Sequence, residues 1–291
     1  MMQKQIAANK RNTIFVMIFF VVLIGLIGGV FAYIFRDVWV EVYVLICAII
    51  YALIQYFAAG SIAMAMTGAH EIKKQDNPKL YTAVENLTIT AGLPMPRVYV
   101  IDDPAPNAFA TGRDPEHAMV AATTGLLDIM DKSELEAVMA HEISHVKNYD
   151  IRVSMITFGL VCVVGLLSDL GLRMLVFRDN DDDRSPVGAI MMLVTAIFAP
   201  IIASLAQLAI SREREYLADA SAVNLTHYPE GMINALKKLE THSRPMRRQN
   251  PATEALYINN PLKKGAISNM FSTHPPIEKR IERLENGKKS F

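Results

Sequence analysis

The chain divides into long apolar blocks separated by polar ones. After Lys4, Lys10 and Arg11, Thr13 to Phe35 runs without a charge, long enough to cross a bilayer as a helix. A cleaved signal would have a shorter apolar core and a small-residue cleavage site, whereas Tyr33-Ile34-Phe35-Arg36-Asp37 follows here, so the segment reads as an uncleaved span. A second uncharged block, Val42 to Thr67, has only Gln55 as a strongly polar interruption, and the two blocks predict a transmembrane hairpin. A third begins at Val153 and continues through Asp169 and Arg173 to Phe177; those two charges, four residues apart near its end, can pair or snorkel. The acidic stretch from Arg178 to Ser185 reads as a solvated loop before a fourth block, Pro186 to Ile210.

Between the hairpins the patterning is that of a soluble domain. Asn77-Pro78 followed by Leu80, Val84, Leu87 and Ala91 predicts a capped helix that Gly92 can end. Residues 97–102, 108–111 and 118–123 read as strands of a small antiparallel sheet. Ser133 with Glu136 reads as a capping box opening a helix whose apolar face includes Leu135, Val138 and Met139. Beyond 211 the chain is polar, with a short helix over 230–239, an irregular stretch over 244–272 and a last amphipathic helix marked by Ile277, Ile281 and Leu284. The division expected is a transmembrane hairpin over 1–67, one part of a folded domain over 68–152, a second hairpin over 153–210 and the other part over 211–291.

Composition agrees with a membrane setting, since 52% of residues are apolar. A net charge of zero offers no basic face for nucleic acid. Cys47 and Cys162, both in apolar blocks, support neither a disulfide framework nor a cysteine zinc site. Basic residues before the first span and through both soluble parts favour cytoplasmic termini and a cytoplasmic domain. Four crossings then put 68–152 and 211–291 on the same side, where they can fold together.

The chemistry centres on His141-Glu142-Ile143-Ser144-His145. Histidines four apart on a helix project from one face and can reach one metal ion, and Glu142 sits where it can hold a water. A third ligand is expected where the chain returns after the fourth span. There Glu215 and Asp219 lie four apart, one to bind metal and the other to hydrogen-bond a ligand histidine. His141, His145 and Glu215 make a His2Glu set that leaves a fourth position open, the arrangement of catalytic zinc, one ion per chain. Glu142 is the candidate general base and Asp219 the histidine's partner. His70, His117, His227 and His242 have no ligand-spaced partners and read as ordinary.

The sequence resembles the HtpX family of bacterial membrane zinc metalloproteases, gluzincin-type relatives of the CAAX prenyl endopeptidases. The matching stretches are 106–112, 140–145 with Asn148 and Asp150, 214–219 and 273–281. The resemblance implies that Asn107, Ala108, Phe109, Ala110 and Thr111 form a strand beside the cleft that pairs with substrate, and that His274 and Arg280 approach the active site to stabilise the oxyanion. It also implies substrates among misfolded or damaged membrane proteins and a place in the bacterial inner membrane. The fold expected is mainly α and integral to the membrane, with four transmembrane helices and a cytoplasmic, zincin-like α+β metalloprotease domain holding a small antiparallel sheet. The competing reading is a four-span sensor or transporter whose cytoplasmic domain binds zinc without hydrolysing anything.

Overall fold

The computed structural model describes residues 2–156, 158, 159, 162, 212–249, 253, 256–259 and 275–287. Most of the second hairpin expected over 153–210 lies outside the described residues, as does His274. Two long helices open the chain, α1 (Met2–Phe35) and α2 (Val38–Thr67), packed side by side, and both are long and apolar enough to cross a membrane. Asp37 caps α2 by accepting from the Trp39 amide. Large apolar side chains on both helices remain exposed, from Ile14 to Tyr33 on α1 and from Val38 to Phe57 on α2. In water such a surface would be costly; against lipid it is solvated.

The end of α2 enters the folded domain. Ala59, Gly60, Ala63 and Met64 are buried, with Ala59, Ala63 and Met64 in a cluster with Tyr99, Phe109 and Met119 of the sheet. Gly60 permits that approach: a Cβ there would lie 2.6 Å from Met119 Cε and 3.5 Å from Gly112 Cα. A short strand β1 (Ala69–Glu71) and helix α3 (Pro78–Ala91) follow. Asn77 accepts from the Leu80 amide at 3.0 Å, Pro78 opens the helix, and Gly92 closes it in the left-handed region at φ 67°. The apolar positions of the sequence pattern, Leu80, Val84, Leu87 and Ala91, are the buried ones.

The sheet has the order β1-β2-β4-β3, with β2 (Arg97–Ile101), β3 (Ala108–Thr111) and β4 (Met119–Thr123). The expected antiparallel sheet is corrected to a mixed one, because β2 and β4 run parallel. The chain leaves β2, passes over to β3 at the far edge, and returns as β4 between them, so sequence neighbours β2 and β3 do not pair. Strand β1, too short to register in the pattern, adds an antiparallel partner to β2.

Helix α4 (Thr124–Ile129) leads to α5 (Lys132–Lys147), the helix of the metal motif. Its capping box is formed by Asp131 and Glu134 rather than the expected Ser133 and Glu136: Asp131 Oδ1 accepts from the Glu134 amide at 2.9 Å and Glu134 Oε2 from the Asp131 amide at 2.8 Å. The Asp131 carboxylate takes the N-cap two residues earlier, and the Ser133 hydroxyl donates to it. Leu135, Val138, Met139 and Ile143 are fully buried, each worth about 1.5–3 kcal/mol relative to exposure. Around α5 pack α3, β3, α6 (Arg212–Thr226) and α7 (Pro229–Thr241), and α8 (Ile277–Gly287) closes over α6 and α7.

Hydrogen bonds from the Glu134 amide and the Ser133 hydroxyl hold the Asp131 carboxyl below its ordinary value. With the folded-state value depressed, this cap stabilises above the unfolded value and is lost as pH falls through the folded one. Asp131→Ala should therefore cost about 1 kcal/mol at neutral pH and nothing once the carboxyl is protonated. Thermal unfolding of both proteins in detergent, at neutral pH and in steps down through and below the ordinary aspartate range, checks this, the difference between them shrinking as pH falls.

Candidate metal centre

Three elements far apart in sequence meet at the buried face of α5. His141 is 1% exposed and Glu142 2%, and Glu215 and Asp219 reach them from α6. His141 Nε2 and His145 Nε2 are 3.1 Å apart, and each lies 3.5 Å from one oxygen of Glu215. Ligand atoms about 2.0–2.1 Å from a tetrahedral ion are spaced ~3.3 Å from one another, so the three donors fit around one cation. They are the His/Glu group among the described residues whose atoms could hold a metal ion.

The outward-facing ring nitrogens show the same design. His141 Nδ1 lies 3.0 Å from Asp219 Oδ1, and His145 Nδ1 lies 3.1 Å from Asp150 Oδ2. With Nδ1–H donated to a carboxylate, each imidazole presents the Nε2 lone pair to the shared point, the tautomer a metal requires. Burial alone would lower both imidazole pKa values, but the carboxylates win: Asp219 and Glu215 hold His141 up at about 9, and Asp150 with Glu215 raises His145. The pocket thus favours positive charge at its centre. A cation binding there displaces protons, so binding strengthens as pH rises.

Burial pushes the Glu142 carboxyl up, with Glu215 adding to it, while both imidazoles and a hydrogen bond from the Ala110 backbone oppose the shift. A carboxylate made more basic beside a metal position is suited to take a proton from water. That hydrogen bond also joins Glu142 to edge strand β3. On the same edge the Ala108 carbonyl accepts from the Ile258 amide at 3.0 Å, and the Asn107 side chain pairs with Asn259 in both directions at 2.7 and 3.1 Å. Phe109 is wholly buried against Tyr257, ring centroids 5.0 Å apart, and the Thr111 hydroxyl donates to Met155 Sδ.

Arg280 enters the site from α8, 1% exposed. Its Nε and Nη2 fork onto Asp219 at 2.9 and 2.6 Å, Nη1 lies 3.8 Å from Glu215 Oε2, and Nη2 lies 3.4 Å from His141 Nδ1. Although burial opposes it, the guanidinium holds the Asp219 carboxyl below its ordinary value and keeps it an acceptor for His141. The structure therefore brings together His141, Glu142, His145, Glu215, Asp219 and Arg280, with β3 alongside.

Asp150 as the partner of His145 and Asn9 as the partner of Asp150 escaped the sequence reading. Asn9 Nδ2, on α1, donates to Asp150 Oδ1 and to the Asn148 carbonyl, both at 2.8 Å. The chain can turn Asp150 back under His145 because Tyr149 adopts a left-handed φ of 60°, a strained conformation for that residue. Lys10 and Arg152 both lie over its ring, 4.3 and 4.9 Å from the centroid. Asp150→Ala should weaken metal binding about 10–100-fold, and Asn9→Leu in the same direction by less. Metal titrations of the purified variants check both.

The chain matches the model of peptidase family M48 over residues 74–288. It is 52% identical over 292 residues to "Protease HtpX homolog" of Tropheryma whipplei, covering 100% of both chains. With the protein of that description from Ligilactobacillus salivarius it shares 46% identity, over 98% of this chain and 100% of the relative. Among solved structures, the crystal structure of S. mikatae Ste24p matches with a TM-score of 0.53 at 19% identity. That match covers 91% of this chain and 62% of the other, and at that identity it speaks for the fold alone.

Proposed function

The chain belongs to peptidase family M48 and is a metalloprotease, and from that premise we propose that it is a membrane-anchored zinc endopeptidase that cleaves internal peptide bonds of misfolded or damaged membrane proteins. The observation that carries this reading is the convergence of His141 Nε2, His145 Nε2 and Glu215 at spacings of 3.1–3.5 Å, with Glu142 beside them on the same helix. Zinc bound there would polarise the scissile carbonyl and lower the pKa of its water towards ~7.

The protein's own groups do the rest. Glu142 takes the proton of the attacking water and hands it to the leaving amine. Asp219 and Asp150 hold the two imidazoles in register, and Arg280 fixes Asp219. An extended substrate would pair with the backbone of β3 beside Glu142 by taking the place of the Ile258 amide on the Ala108 carbonyl, reading peptide shape with little demand on side chains. Charge developing on the scissile oxygen is met by Arg280 and His274, the role that the resemblance to the family implies for them. The helices α1 and α2 anchor the domain, the termini and active site face the cytoplasm, and 153–210 crosses the bacterial inner membrane twice more.

Detergent-solubilised protein incubated with casein tests the reading, with zinc added, removed by a chelator and then restored. Cleavage that disappears on chelation and returns with zinc is expected. Metal bound at one ion per chain with neither casein cleavage nor self-cleavage would contradict it, and would favour a zinc-binding sensor or transporter.

A further inference from the structure

A recess opens where α2 passes from its exposed apolar stretch into the domain. Three guanidiniums line it, from Arg97 at the start of β2, Arg113 just after β3, and Arg152 beyond the metal helix. Its floor is apolar, with Phe57 of α2, Met155 and Ile156. Arg113 lies over the Phe57 ring at 5.0 Å, and Arg152 is held between Tyr56 at 5.8 Å and Tyr149 at 4.9 Å.

The level of this recess can be read from the helices. The exposed apolar side chains of α2 run from Val38 to Phe57 and those of α1 from Ile14 to Tyr33. Each stretch is ~20 residues, ~30 Å of helix, which is one hydrocarbon thickness. On the domain side both end together. Past Phe57, the face of α2 that carries Ala59, Gly60, Ala63 and Met64 is buried; before Ile14, α1 carries exposed Lys10 and Arg11, with Asn9 tied to the turn after α5. The recess therefore sits at the height of the lipid headgroups, with Tyr56 at an aromatic-belt position.

Charge makes the site selective. Asp114 lies 3.4 Å from Arg113 and Glu71 lies 3.7 Å from Arg97, so two carboxylates face three guanidiniums. His117 Nδ1 is 2.5 Å from Asp114 and its Nε2 is 2.6 Å from Arg113 Nη2, so the ring links the carboxylate to the guanidinium and steadies it. Arg152 has no carboxylate within salt-bridge distance among the described residues. Its Nε donates to the Arg113 carbonyl, and both terminal nitrogens lack an acceptor among those residues. An anion with several acceptor oxygens fits these donors, and the apolar floor suits the start of an acyl chain.

Resting on the reading of α1 and α2 as spans, we infer that this recess binds the phosphate headgroup of an anionic membrane phospholipid and so clamps the protease domain at the bilayer surface. Bidentate guanidinium contacts hold the phosphate, while Phe57, Met155 and Ile156 receive the first methylenes. None of the three arginines touches the metal centre.

The test is a thermal-unfolding titration of the full chain in a neutral detergent, with short-chain phosphatidylglycerol as probe. Short-chain diacylglycerol and inorganic phosphate are the controls. Wild type should be stabilised by phosphatidylglycerol and by neither control, and Arg113→Gln/Arg152→Gln should need about tenfold more lipid or beyond for the same shift. Identical titrations for the two proteins, or an equal response to diacylglycerol, overturn the site. An equal response to inorganic phosphate overturns the lipid as its ligand. The wild-type comparison among the three probes stands even if the double variant does not fold. Insertion of wild type into phosphatidylcholine nanodiscs tests the spans separately. If it inserts, a missing lipid preference counts against the recess alone; if it fails to insert, the spanning reading falls and the lipid site with it.

Discussion

Glu142→Gln protein should keep its fold and its zinc while hydrolysis falls by about 10²–10⁴. The substitution preserves shape and the hydrogen bond from the Ala110 backbone to a side-chain oxygen, and removes the group that accepts a proton. Burial has already raised the carboxyl's pKa, so the wild-type group is a better base than an exposed glutamate. The His2Glu donors are untouched, because Glu142 is not among the three atoms that converge. Casein-cleavage rates, zinc content by elemental analysis and far-UV circular dichroism would be measured on the same preparation. Unchanged cleavage by clean variant protein would remove Glu142 from the chemistry.

The second large effect belongs to Glu215→Ala, which should drop zinc from about one ion per chain to near none and abolish cleavage. Two imidazoles 3.1 Å apart cannot replace the carboxylate that faces both. The variant's stability separates lost metal from lost fold. Without metal, Glu215 faces His141, His145 and the Arg280 guanidinium in a buried pocket, so its deletion should also lower the unfolding temperature of the metal-free protein while leaving a cooperative transition. Added zinc should raise that temperature in wild type and leave the variant unmoved. Full zinc occupancy in the variant would show that Glu215 is not a ligand, and zinc stabilisation equal to wild type would say the same.

What the sequence could reveal depended on how local the signal was. The four-residue spacing of His141 and His145, and of Glu215 and Asp219, is a property of a single helix turn and was readable directly. The helix over 78–91 was readable for the same reason, with its cap, its proline and its closing glycine in one stretch. Pairing order was not, because β4 inserts between β2 and β3, a non-local event that leaves no mark in the alternation of each strand. The N-cap moved from Ser133 to Asp131 because both residues suit the position and only packing separates them; Glu134, the other half of the box, is also held by Lys238 at 2.6 Å.

Asp150 was hidden by the turn that delivers it, since a left-handed tyrosine carries none of the glycine or asparagine signal that marks such turns. Arg280 left a clue that can be used elsewhere. It lies three residues after Ile277 and four before Leu284, so a charge falls on the apolar stripe of an amphipathic helix, where only a buried partner such as Asp219 makes it tolerable. Asn9 has no comparable signal, since its partners lie 139 and 141 residues away.

The central claim is that one metal ion is held jointly by α5 and α6, two helices separated by a long apolar stretch of sequence. Anomalous diffraction at the zinc edge, from crystals of the full-length zinc-loaded protein, tests it most directly. The account predicts one peak about 2.0–2.2 Å from His141 Nε2, His145 Nε2 and a Glu215 oxygen, with Asp219 and Asp150 on the far nitrogens of the two imidazoles. A peak bound elsewhere, or one held by the two histidines with Glu215 out of reach, would contradict it.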